Sequence, residues 1–241
     1  MHSTAFILFG SQHLIALLMS AAVIAAPVFL RHKPAPVLEK AAAAIAAVII
    51  FHMLMQTFNT FTFNLPWQEA IPLHMCDLSA LSIAYYLVKR QRVFFTLAFF
   101  WGVGGASMAL LQPDIQYAFP HPAFLPFFTS HVIILLAISF ACMALRERPY
   151  LSDVPKVIVI SLGLMCVIYV FNFLLGENAN FWYLNRKPAA ASLMNLFPAA
   201  PFHILPIIPV AIGVFYLTYL PFWIADKLTG QYKKTVRQDG L

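Results

Sequence analysis

The residues with the clearest chemical potential are one cysteine and a few histidines placed near the starts of apolar runs. Cys76 falls in the first turn of such a run, where free N–H groups and the helix dipole favour a thiolate. His74 is two residues away, so on a helix it points elsewhere and is a poor base for that thiol. His131, in the second turn of another run, is the natural partner. A cysteine activated by a histidine is the minimal pair for acyl transfer through a thioester. Asp77 could orient a histidine, although its charge opposes ionisation of the adjoining thiol. Asn59, His74 and His203 could line a cavity or form an oxyanion hole. Arg186 and Lys187 could hold a phosphate, the first as a fork and the second as a point charge. Cys142 and Cys166 have no polar neighbours and read as small hydrophobes. No cofactor motif and no helical His-xxx-His metal pair is present.

The elements that must position these groups are membrane helices. The chain is 61% hydrophobic and 10% charged, with a mean hydropathy of +0.80, far from a soluble protein. Seven apolar runs can be drawn, at about 14–30, 38–58, 73–88, 94–111, 124–145, 157–175 and 203–224, each near the ~20 residues that cross a ~30 Å core. Lipid offers backbone groups no partners, so helices are expected. The predicted fold is all-α: a single seven-helix membrane domain over residues 1–241.

Basic residues fall on alternate sides of these runs. Arg31, Lys33, Lys40, Lys89, Arg90, Arg92, Arg146, Arg148, Lys156, Lys227, Lys233, Lys234 and Arg237 share one side; only Arg186 and Lys187 lie on the other. This positive-inside pattern predicts an outside N-terminus and a cytoplasmic C-terminus. The net charge of +6 is therefore a topology signal, and no basic stripe suits nucleic acid.

Most ionisable residues within the runs then fall in the outer half, with His52 alone near mid-membrane. At ~1.5 Å per residue, Cys76 lies ~6 Å and His131 ~10 Å below the outer helix ends, the depth of phospholipid ester carbonyls. Charge at such depth defaults to a functional reading. The inner half is nearly devoid of ionisable groups. Gly102/Ala106 and Gly105/Ala109 have the small-xxx-small spacing of close helix packing. Pro72 is expected in the first turn of the third helix, and Pro206 and Pro209 predict a kink in the seventh. The Phe181, Trp182 and Tyr183 cluster suits a membrane interface.

Several stretches carry a family resemblance: PLHMCDLS at 72–79, FWGVGG at 100–105 running to LQPD at 111–114, FPHP at 119–122 with TSH at 129–131, YLNRKP at 183–188, and YLPF at 219–222. With them the chain resembles the YwaF-like family of bacterial integral membrane proteins. The eukaryotic relatives of that family include a transmembrane acyltransferase that makes polyunsaturated ether phospholipids. The resemblance implies a seven-helix fold, related more distantly to the androgen-induced hydrolases of fatty-acid esters. It also implies a nucleophile at Cys76, a histidine partner at His131 and residence in the bacterial cytoplasmic membrane. The expected activity is acyl transfer from a phospholipid or other acyl-lipid, without a cofactor. Two alternatives stand beside it. One is a small-molecule or ion transporter using the same polar residues, against which the polar-poor inner half argues. The other is a metal-dependent hydrolase with ligands among His74, Cys76, Asp77, His131 and His203.

Overall fold

A computed structural model describes residues 4–188 and 193–229 of the chain. The expected basic tail at Lys233, Lys234 and Arg237 lies outside the described residues. Seven helices follow in order: α1 Ser11–Ala25, α2 Ala35–Thr62, α3 Met75–Lys89, α4 Arg92–Leu111, α5 Phe124–Met143, α6 Asp153–Leu174 and α7 Ile204–Thr229. Short 3₁₀ turns at Ala26–Leu30, Trp67–Ala70, Phe181–Tyr183 and Leu193–Leu196 join them. All seven are long and apolar enough to cross a membrane, α1 together with the turn that follows it and α3 together with the turn that precedes it. An odd number of crossings puts the start of α1 and the end of α7 on opposite faces of the bundle. The face carrying Arg31, Arg90, Arg146 and Arg148 is called the basic face below.

Local chemistry sets the helix ends. Pro72 lies ahead of α3 rather than in its first turn, because the chain stays extended through His74, the N-cap residue (φ −65°, ψ 153°). The Asp77 carboxylate accepts the His74 backbone N–H at 3.0 Å, satisfying a donor the helix leaves free. Cys76 is thus the second residue of α3. At the other end Arg90 turns left-handed (φ 57°), and α4 begins two residues later.

The core lies among α2 to α5, with α4 at its centre, packed against α3, α5, α6 and α7. Tyr86, Phe95, Phe100 and Phe140 are fully buried there. Large apolar side chains also point outward around the bundle, such as Leu18, Phe51, Val159 and Phe173. A surface this apolar needs lipid around it. α1 docks on α5, and fully buried His13 joins it to α4: its Nδ1 accepts the Phe9 N–H and its Nε2 donates to the Leu110 carbonyl at 2.8 Å. His13 is a satisfied packing residue.

Just beyond the apolar runs, the charged residues of the basic face pair with one another. Arg92 forks onto Asp153 at 2.9 and 2.7 Å, and Arg148 onto Asp226 at 2.9 and 2.7 Å. Both carboxylates are buried. Tyr86 donates to Glu147, and Tyr150 lies against both guanidinium groups. The Asp226 carboxylate, by accepting hydrogen bonds from it, holds the Arg148 guanidinium above its usual range, although burial acts the other way. These pairs tie α4, the 144–152 connection, α6 and α7 together. Their partners are remote in sequence, so helix-by-helix counting showed only isolated charges.

Candidate functional site

A cavity of about 680 Å³ runs between α2, α3, α4, α5, α6 and α7, within the ~300–1,000 Å³ of small-molecule sites. Its polar end holds Cys76, Asp77, His74, His131, Asp114 and Tyr183. Its apolar shaft follows α7, which contributes Ile204, Ile207, Ile208, Ala211, Ile212 and Phe215. These repeat along one helical face. At 1.5 Å per residue the face is ~16 Å long, about half of a ~30 Å hydrocarbon core. The shaft is therefore as deep as one leaflet's acyl chains. Ile158 and Leu162 of α6 face it.

Cys76 and His131 thus reach one cavity from different helices. The His131 Nδ1 lies 2.7 Å from the Phe127 carbonyl, and Ser130 donates its hydroxyl to the same oxygen at 2.8 Å. A carbonyl only accepts, so Nδ1 carries the ring proton and Nε2 keeps its lone pair. The ring is fixed as a base.

His52 joins them. The sequence set it apart at mid-membrane, yet it lines the cavity, approaches the Pro126 carbonyl and lies within electrostatic reach of His131. A shaft about half of a ~30 Å core deep reaches a mid-membrane residue of α2, so depth alone did not separate His52 from the site. Gln56, one turn closer to the site, lines the cavity where Asn59 was expected; Asn59 does not.

The 176–188 segment caps the polar end. Asn172 of α6 clasps both backbone groups of Phe181, at 2.8 and 2.9 Å. Left-handed Trp182 (φ 58°) and Tyr183 (φ 53°) then turn the chain inward. The Trp182 indole donates to the Leu73 carbonyl, and Phe181 packs edge-on against His74. The Tyr183 hydroxyl donates to Asp114 at 3.0 Å. Burial first, then the Asp114 charge, raises its phenol pKa, with Cys76 and Glu69 adding to the effect. Tyr183 is thus a neutral donor near the thiol. The aromatic cluster thus forms a lid over the polar end of the cavity. Its positive φ angles are tertiary, but Tyr183, Asp114 and Ser130 all fall in the motif stretches that carried the resemblance.

The remaining expected contacts are not in the cavity lining. Arg186 is exposed and donates to the Glu177 carbonyl, while Lys187 donates to that of Phe197. Both brace their own loop. His203 is fully buried, with Nε2 on the Tyr183 carbonyl at 2.8 Å, and so supports the lid from behind. No group of three or more His, Cys, Asp or Glu placed to hold a metal occurs among the described residues.

The small-residue pairs divide. Gly102 and Ala106 pack closely: a Cβ on Gly102 would meet Ile138, Ser79 and Ile134 at 2.5–2.9 Å. Gly105 and Ala109 instead line the cavity, and a Cβ on Gly105 meets nothing within 4 Å. The packing reading holds for the first pair only.

Seven helices long and apolar enough to cross a membrane define an integral, multi-pass membrane protein. The chain belongs to the TMEM164 family, whose model matches residues 8–219. Comparison with curated proteins and with solved structures finds no match.

Proposed function

We propose that this protein is a membrane-embedded lipid acyltransferase or transacylase that works through an acyl-thioester on Cys76. The observation that carries the reading is that Cys76 and His131, whose Nδ1 is held by the Phe127 carbonyl, line one cavity with an apolar shaft about one leaflet deep. His131 Nε2 takes the thiol proton as Sγ attacks an ester carbonyl. The ester C–O bond breaks, and the leaving alcohol takes the proton from Nε2. An acceptor hydroxyl then gives its proton to Nε2, its oxygen attacks the thioester, the C–S bond breaks, and Sγ is reprotonated.

The site lies toward the face opposite the basic loops. The positive-inside bias makes that the outer leaflet, in a bacterial cytoplasmic membrane. The transport alternative needs access from both faces. The basic-face connections contribute no cavity residue among those described, and Arg–Asp pairs with buried carboxylates occupy that end. The metal-dependent alternative lacks a ligand cluster among the described residues.

The test is purified protein incubated with a labelled phospholipid, with detection of hydroxylamine-sensitive label on the chain. Cys76→Ala should abolish labelling and Cys76→Ser nearly so, because a hydroxyl lacks thiolate reactivity at neutral pH. Cys142→Ala and Cys166→Ala should label normally. Undiminished label on Cys76→Ala protein refutes the thioester.

A further inference from the structure

A second, smaller groove of about 230 Å³ lies between α2, the Trp67–Ala70 turn and α3. It adjoins the main cavity, since Met53, Gln56, Glu69 and Asp77 line both. Its outer wall is Ile50, Leu54 and Leu81. Leu54 is 60% exposed and Ile50 42%, on a helix able to span the bilayer, so lipid meets this wall. Polarity rises along it: Ile50 and Leu54 are followed by Gln56 and Thr57, with Glu69 across from them. From Ile50 to Thr57 is ~10 Å at 1.5 Å per residue. The groove is thus apolar at one end and polar at the end that reaches Asp77, the neighbour of Cys76.

We propose that this groove is a second lipid subsite, which holds the hydrocarbon chain of a single-chain lipid with a free hydroxyl, the acyl acceptor. The proposal rests on the acyl-transfer reading for its chemistry but not for its binding. The main shaft holds the chain esterified to Cys76, and the groove holds the acceptor chain beside it. The acceptor hydroxyl meets the thioester where the two spaces share Asp77 and Gln56. Met53, a flexible side chain, forms the wall between them. Two adjoining spaces of this kind let donor and acceptor chains occupy the protein together.

The probe is a lysophospholipid with a diazirine in its chain, presented in phosphatidylcholine vesicles to the full-length protein. Photolysis should give adducts on residues 50–54 and on Leu81. Leu54→Trp and, separately, Leu81→Trp should lower the remaining adducts about tenfold, equivalent to ~1.4 kcal/mol of lost contact. Leu18→Trp, on a lipid-facing site elsewhere, should not. In the acyl-transfer assay, Leu54→Trp should lower transfer relative to Cys76 loading by a similar factor. Adducts absent from the groove, or unchanged by both tryptophans, overturn the proposal. Equal loss of loading and transfer makes the groove the donor's route and overturns the acceptor assignment. If wild-type Cys76 takes no acyl group, the acyl-transfer reading falls, and the adduct map alone decides whether the groove binds a chain.

Discussion

Gly102 and Gly105 sit one turn apart on α4, yet the same substitution should affect them in opposite ways. At Gly102 an added methyl would lie 2.5 Å from Ile138, 2.8 Å from the Ser79 hydroxyl and 2.9 Å from Ile134. Ile134, Ile138 and Ser79 are themselves buried, and Ser79 is tied to the Ala98 carbonyl at 3.1 Å, so the walls cannot retreat freely. At Gly105 the methyl meets nothing within 4 Å. Both substitutions gain the same helix propensity, up to ~1 kcal/mol, and that term cancels in the comparison. What remains is overpacking at Gly102, typically ~1–3 kcal/mol. Gly102→Ala should therefore unfold more readily than Gly105→Ala by that amount, measured by equilibrium unfolding in mixed micelles. A difference below ~0.5 kcal/mol, the spread of unremarkable surface changes, refutes the packing argument. Gly105→Leu carries the argument to function. It should stay folded but project into the shaft, lowering acyl loading of Cys76 at least about tenfold, a loss of ~1.4 kcal/mol. Undiminished loading would mean that the acyl chain does not lie against α4.

Other outcomes follow from the same geometry. His131→Ala should slow acyl loading by ~10²–10⁴, the range for a lost general base; single-turnover labelling that stays within threefold of wild type on this ~10²–10⁴ scale would remove His131 from the mechanism. Arg148→Ala leaves the Asp226 carboxylate buried without its guanidinium and should cost ~3 kcal/mol, the low end for a broken buried pair. The double variant Arg148→Ala/Asp226→Leu should recover part of that loss in the same unfolding measurement, and a double variant less stable than the single would contradict a charge-burial cost. Reporter fusions at Lys233 and within residues 176–188 should report opposite sides of the membrane, the former cytoplasmic. Fusions that report one side together would overturn the count of crossings.

Length and polarity are local properties, and they were legible in the chain. Apolar runs of about twenty residues must become helices in lipid, where no solvent completes a broken backbone bond. All seven formed, with ends shifted by a few residues where caps decided them, as at His74. Cys76 and His131 were also legible as individuals, because an ionisable or nucleophilic group near a helix start stands out against an apolar run. His74 and Asp77 line the same cavity, where Asp77 also accepts the N-cap N–H of α3 and His74 packs against Phe181.

What the sequence could not provide was which faces meet. Helical spacing makes Gly102/Ala106 and Gly105/Ala109 equivalent, yet one pair closes a helix contact and the other opens a cavity wall. Arg186, Lys187 and His203 carry the right chemistry for a phosphate or an oxyanion, and only the structure shows that each also gives a donor to a neighbouring carbonyl. His52 and Tyr183 look incidental in the chain and become site residues only when the shaft reaches mid-membrane and the 176–188 segment folds back over α3. The sequence by itself determined the number of helices, the bias of charge and the reactive residue types. Each follows from the transfer of single side chains and single backbone segments between water and lipid. The tertiary structure decided the cavity, the tautomer of His131, the lid and the Arg–Asp pairs. Each of these depends on the distance between groups far apart in the chain, which side-chain packing fixes and local composition does not.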